Sequence, residues 1–84
     1  RLFPCFPNPF NPATVIRYLI PEAGYVSLKV HDTSGRLVTT LVDGYRQAGS
    51  QEVTFDGSGF ASGVYLYTLT AGNYSATGKM VLLK

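Results

Sequence analysis

Alternation of apolar and polar residues along short segments limits most strongly what this chain can fold into. In YVSLKVH, residues 25–31, apolar side chains stand at 26, 28 and 30 and polar ones stand between them. A period of two is that of a β-strand with one buried face. Segments rich in β-branched and aromatic residues also occur at 14–20, 36–42, 51–55, 64–70 and 74–83. Because turn residues separate them, we predict six strands and no helix.

Short strands at this spacing indicate two packed antiparallel sheets, because a single alternating sheet would leave its apolar face in water. Of the 84 residues, 45% are hydrophobic and 14% are charged, which is the composition of a folded domain. We therefore predict an all-β fold, a small antiparallel sandwich. Tyr65, Tyr67 and Leu69 share one strand face and are expected in the core. Tyr25 and Tyr45 lie near turns and are expected to be exposed, and DG at 43–44 is expected to end a strand.

The segment FPNPFNPAT, residues 6–14, contains three prolines and precedes the first strand. Proline has no N–H to donate, so the segment is expected along an edge of the sandwich. We expect Phe6 and Phe10 to insert between the sheets. Asn8 and Asn11 each precede a proline, where their side chains are expected to hold Asx turns.

Few residues could support catalysis, since the chain has one His, one Cys, three Asp and two Glu. His31 and Asp32 are neighbours on a strand and point to opposite faces, so they form no dyad. Cys5 has no base placed to activate it and is expected to be a free, weakly packed thiol. The segments DTSG and DGSG are typical of turns, and each offers a single carboxylate to a metal. We predict no enzyme activity, no metal and no cofactor.

The distribution of charge and apolar residues excludes two classes of partner. The net charge is +2 and the basic residues are scattered, which gives no footprint for nucleic acid. No apolar run approaches the roughly 20 residues of a membrane helix, so no membrane span is predicted. The chain begins with Arg1 and not Met, and we expect it to be part of a longer protein.

Four motifs in order give the chain a family resemblance from Phe6 to Lys84. It resembles the C-terminal sorting domain of the type IX secretion system of Bacteroidetes-like bacteria. That family is related to the immunoglobulin-like domain of the flagellar hook-capping protein. His31 and Phe60 stand where Tyr and Leu are usual. The matching positions are Pro7, Asn8 and Pro9; Asp32 and Gly35; Gly63 and Tyr65; and Lys79 and Lys84.

The resemblance implies an immunoglobulin-like β-sandwich of about six to seven strands and a non-catalytic sorting role. Residues 1–5 would be a linker from an N-terminal parent protein, and residues 6–84 the sorting domain. The parent would pass through the periplasm and the outer membrane to the cell surface or the medium. The implied partners are the secretion machinery and a sortase-like peptidase, with cleavage before Phe6 where the backbone is expected to be exposed.

The terminal strand suggests how such a domain is recognised, because an open strand edge can accept a further strand. We expect residues 79–84, with Lys79 and Lys84 at the two ends, to offer their main chain to a partner. Edge strands would also allow two copies to pair. Two other functions stay open: a structural spacer, and a carbohydrate-binding module of a secreted hydrolase that uses Tyr25 or Tyr45 as a stacking platform.

Overall fold

A computed structural model describes residues 1–84 and contains six β-strands and no helix. The strands are β1 (Ala13–Ile20), β2 (Gly24–Asp32), β3 (Leu37–Arg46), β4 (Gly49–Asp56), β5 (Gly63–Ala71) and β6 (Tyr74–Leu82). All six predicted strands are therefore present. The predicted break at 43–44 is wrong, because β3 continues to Arg46 and stays paired with the start of β2.

The strands form two antiparallel sheets that enclose one core. One sheet contains β1 and β4, and the other has the order β3-β2-β5-β6. The structure confirms the predicted immunoglobulin-like sandwich, since alternate side chains of each strand point into the space between the sheets. The buried side chains include Ile16, Tyr18, Ile20, Val26, Leu28, Val30, Phe55, Tyr65, Tyr67, Leu69, Met80 and Leu82.

The tyrosines divide as the alternation predicts. Tyr65 and Tyr67 are buried with Leu69 on the inner face of β5. Tyr25 and Tyr45 are opposite each other on β2 and β3, and they are 60% and 63% exposed.

The lack of a side chain at Gly78 leaves room for the Tyr67 ring beneath β6. A Cβ atom at position 78 would lie 2.3 Å from the ring carbon that carries the hydroxyl group. Any larger residue at this position would therefore force the ring or the strand to shift.

Residues 1–12, which we call the leader, run along an edge of each sheet in turn. The backbone of residues 1–6 pairs antiparallel with β1 on the edge that β4 does not use. Farther along, Phe10 pairs in parallel with Leu82 of β6. The leader thus crosses from one sheet to the other and covers the gap between β1 and β6, which we call the seam. Its predicted edge position is correct.

Two side chains of the leader lie on the opposite side from the one expected. Cys5 is 4% exposed and belongs to the core, whereas Phe6 is 81% exposed. Neighbours in a segment paired as a strand point to opposite faces, so an inward Cys5 turns Phe6 outward. Phe10 is buried as predicted, and its ring meets Phe55 edge-on at 5.8 Å.

Residues 1–5 are held against β1, although the resemblance implied a linker there. Phe3 N–H donates to the Arg17 carbonyl at 3.0 Å, and Leu19 N–H donates to the Arg1 carbonyl at 2.7 Å. The backbone before Phe6 is therefore hydrogen-bonded to β1, although Arg1 and Pro4 are exposed. The division into a linker and a domain after residue 5 stays a prediction.

Candidate functional site

Three of the four motifs meet at one end of the sandwich. Asp32 at the end of β2 is paired with Tyr65 near the start of β5, and Gly63 is paired with Leu82 near the end of β6. This register brings together the turn at 33–36, the loop at 57–62 and residues 83–84. We call this group the motif end.

The Asp32 carboxylate organises the first turn of the motif end. One of its oxygens accepts hydrogen bonds from the N–H groups of Ser34 and Arg36, both at 3.0 Å, and from the Ser34 hydroxyl at 2.6 Å. The other oxygen accepts from Nε of Arg36 at 3.2 Å. The Ser34 hydroxyl, above all, holds the pKa of Asp32 below its ordinary value. Gly35 has a φ of 88°, a conformation that favours glycine and explains its place in the motif.

The loop at 57–62 is fixed by one aromatic contact and one tyrosine hydroxyl. The Tyr65 hydroxyl donates to the Ala61 carbonyl at 2.6 Å, a bond of the kind found in the tyrosine corner of immunoglobulin-like sandwiches. Phe60 stacks on Phe55 at 5.7 Å. Phe60 thus anchors this loop to the core. Gly63 ends the loop with a φ of 152°.

Lys84 attaches the end of the chain to the same loop. Its Nζ donates to the Ser58 carbonyl at 2.6 Å, and its N–H donates to the Ser62 hydroxyl at 3.1 Å. Asp56 lies beside this contact and accepts from the Ser58 hydroxyl and N–H, which lower its pKa, with a smaller contribution from the Lys84 charge. The third motif and the final lysine thus form one connected structure.

The Pro7-Asn8-Pro9 motif is joined to the strand that carries Lys79. The Asn8 side chain donates to the Lys79 carbonyl at 3.1 Å and accepts from the Val81 N–H at 3.0 Å. It bridges the leader to β6, so the expected Asx turn at Asn8 is wrong. Asn11 makes no side-chain hydrogen bond either, and its expected turn is also absent.

These bonds change the expectation for the terminal strand. Phe10 N–H donates to the Val81 carbonyl, and Leu83 N–H donates to the Phe10 carbonyl, each at 2.9 Å. Together with Asn8, Phe10 occupies most of the outward main-chain groups between Lys79 and Leu83. The prediction that residues 79–84 are open to a further strand is therefore wrong.

The residues considered for chemistry do not converge. His31 and Asp32 follow each other on β2, and Cys5 lies at the seam beside the Tyr67 hydroxyl. No three His, Cys, Asp or Glu side chains lie close enough together to hold a metal ion.

A cavity of about 550 Å³ lies at the end opposite the motif end. The turn between β1 and β2 and the turn between β5 and β6 form its walls, and Arg1 lies at its rim. Tyr25 and Tyr74 both line it, together with Glu22 and Asn73. Tyr45 does not line it, and no local pattern predicts that Tyr25 and Tyr74, 49 positions apart, lie together.

The comparison with protein families identifies the chain. The model of the family described as secretion system C-terminal sorting domain matches residues 4–83. The chain belongs to this family. The match confirms the predicted family resemblance, and the domain is a sorting signal of the type IX system. The role of the family is sorting and not catalysis.

A solved structure shares the fold. It is that of PorZ of Porphyromonas gingivalis, described as an essential bacterial surface component of the type-IX secretion system. The TM-score is 0.68 at 22% identity, over 99% of this chain and 11% of the PorZ chain. The chain thus spans about a tenth of the length of that structure.

No curated protein matches the chain. No helix with the length and apolar character to cross a membrane is found.

Proposed function

We propose that the domain is a non-catalytic signal that presents its motif end to the type IX machinery. The parent protein would be attached at the opposite end, where Arg1 lies beside the cavity. The parent would be delivered through the periplasm and the outer membrane to the cell surface or the medium. A sortase-like peptidase would act on the N-terminal side of the segment paired with β1.

One observation carries the proposal: the motif residues are joined to one another across long stretches of sequence. Asn8 bonds to β6 beside Lys79, Lys84 bonds to the loop that Tyr65 holds, and Tyr65 is paired with Asp32. Residues that only stabilised their own strands would not be expected to form hydrogen bonds with the other motifs. A fixed, connected surface is what a folded recognition signal requires.

The proposal is tested with a fluorescent passenger fused to the N-terminal side of residues 1–84, behind a signal peptide, in a type IX-competent host. We expect the passenger at the cell surface or in the medium. A passenger that stays in the periplasm would overturn the proposal.

A matched pair of lysine variants tests the motif end. Lys84→Ala removes the bond to the Ser58 carbonyl, whereas Lys29→Ala removes an exposed lysine from the outer face of β2. Both domains should fold, which circular dichroism checks. We expect reduced export for Lys84→Ala alone, and equal export of the two variants would exclude Lys84 from recognition.

The cavity favours carbohydrate binding as a second candidate function. Tyrosine rings beside a carboxylate and an amide are suited to stack on a sugar ring and to bind its hydroxyls. In affinity electrophoresis through polysaccharide gels, Tyr25→Ala should abolish any retardation. Tyr45→Ala is the control, because Tyr45 does not line the cavity. A wild-type domain that migrates without retardation would exclude this function.

A further inference from the structure

One part of β6 has an edge with which no backbone of the domain pairs. The N–H and C=O groups of Val81 both point away from β5, since they bond to Asn8 and Phe10. The register between β5 and β6 is unbroken, so the main-chain groups of residues 79, 77 and 75 point the same way. The Lys79 carbonyl accepts a hydrogen bond from the Asn8 side chain. The Lys79 N–H and both groups of Thr77 and Ser75 have no partner within the chain, and we call residues 75–79 the open edge.

The leader lies beside the open edge without pairing with it. Two tyrosine hydroxyls bind the leader, and neither is bonded to the β6 backbone. Cys5 N–H donates to the Tyr67 hydroxyl at 3.1 Å, and Leu2 N–H donates to the Tyr74 hydroxyl at 3.3 Å. The Tyr67 hydroxyl in turn donates to the Phe3 carbonyl at 3.2 Å.

A cavity of about 240 Å³ remains between the leader and the open edge. Leu2, Phe3 and Pro4 form one wall, Ala76 and Gly78 form the other, and Tyr67 also lines it. The open edge therefore has unpaired main-chain groups and an apolar pocket side by side. Lys79 at its end is exposed, and no carboxylate lines the pocket.

We propose that the open edge accepts an extended segment of a protein of the secretion machinery as an added strand. Unpaired N–H and C=O groups along an edge are recognised by another extended backbone. The pocket beside these groups has room for a side chain of the added strand, and Leu2, Phe3 and Pro4 line its far side. Side chains of a strand alternate, so one small apolar side chain would enter the pocket. An acidic side chain would lie near Lys79.

This inference rests on the proposed function, and the same export assay tests it with substitutions at the open edge. Thr77→Pro removes an N–H that has no partner within the domain, and its ring blocks an added strand. We expect export of the passenger to fall by about tenfold, the effect of losing main-chain hydrogen bonds in the added strand.

Two controls separate the loss of the added strand from the loss of the Thr77 hydroxyl and from the general effect of a proline in an edge strand. Thr77→Ala loses the contact between the hydroxyls of Thr68 and Thr77 but keeps the N–H, and it should be exported normally. Thr54→Pro places the same ring on β4, at an exposed threonine whose main-chain groups point away from β1. It should also be exported normally. If Thr77→Pro fails to fold, as judged by circular dichroism, Ser75→Pro replaces it.

The outcomes distinguish the inference from the function on which it rests. A wild-type fusion that is not exported overturns the proposed function and the inference together. A wild-type fusion that is exported, with normal export of the folded proline variant, overturns the inference alone. Sedimentation of the purified domain tests a second copy as occupant: a dimer that Thr77→Pro dissociates would overturn the assignment to the secretion machinery.

Discussion

The hydroxyl group of Tyr67 connects the leader to the core at the seam. It accepts from Cys5 N–H and donates to the Phe3 carbonyl, and burial raises its pKa, which keeps the proton in place for that donation. Tyr67→Phe would leave the buried Cys5 N–H without a partner. We expect the free energy of unfolding to fall by about 1–3 kcal/mol. Urea unfolding measures it, with the exposed Tyr25→Phe as control, and equal losses in the two variants would contradict this role.

Asn8 and Asn11 offer a comparison of two residues in the same local setting, since each precedes a proline in the leader. Asn8 makes two hydrogen bonds to β6, and Asn11 makes none with its side chain. We expect Asn8→Ala to lower the free energy of unfolding by about 1 kcal/mol. Asn11→Ala should change it by less than about 0.5 kcal/mol, as surface substitutions usually do. Equal effects in thermal or urea unfolding would show that the bridge to β6 contributes nothing.

The leader also shows which residues local sequence cannot assign. Apolar character alone predicted Phe6 inside and Cys5 loosely packed, whereas the pairing with β1 reverses the two. The role of Asn8 depends on a strand more than 70 positions away. No local pattern encodes such a contact, so the sequence could supply the motif but not its structural purpose.

Strands were predicted well because alternation is a local signal of burial on one face. The exception, β3, continues through the Asp43–Gly44 pair that commonly marks a turn. Val26 of β2 is paired with Gly44, and Tyr25 is paired with Tyr45. Tertiary pairing thus overrides the turn preference of two residues, as it often does for strand propensity.

The two aspartate turns at the motif end make stability depend on pH. Hydrogen bonds, mainly from Ser34 and Ser58, lower the pKa values of Asp32 and Asp56 below the ordinary value of 3.8. A carboxyl whose pKa is lower when folded stabilises the domain above its unfolded pKa. That contribution is lost as the pH falls through the folded pKa. We expect the urea midpoint to decrease below about pH 4, the ordinary aspartate range.

A double variant isolates this contribution from the rest of the molecule. Asp32→Asn with Asp56→Asn removes both ionisations, so its urea midpoint should depend less on pH between about 2 and 6, a span of roughly two units on either side of the ordinary value. Asp43→Asn is the control, because the Asp43 side chain makes no hydrogen bond in the domain. A double variant with the pH dependence of the wild type would place the acid sensitivity elsewhere.

At the scale of the whole molecule, the leader joins the two sheets. It is paired with β1 through residues 1–6 and with β6 through Phe10, and the side chain of its own Cys5 lies in the core. Strands β1 and β6 are not paired with each other. The leader, which is paired with both, therefore supplies the backbone connection at the seam. The motif at Pro7, Asn8 and Pro9 stands where the chain crosses from one sheet to the other.

Cys5 is the single thiol of the chain and reports whether the leader opens independently. Because Cys5 and Phe10 belong to the same core as β1 and β5, we expect the leader to open only when the whole sandwich unfolds. The rate of labelling by a thiol reagent should then rise with urea concentration with the slope of global unfolding. Asn8→Ala should speed labelling by the factor that its loss of stability predicts. Labelling that is fast and independent of urea would instead show a leader that detaches from an intact sandwich.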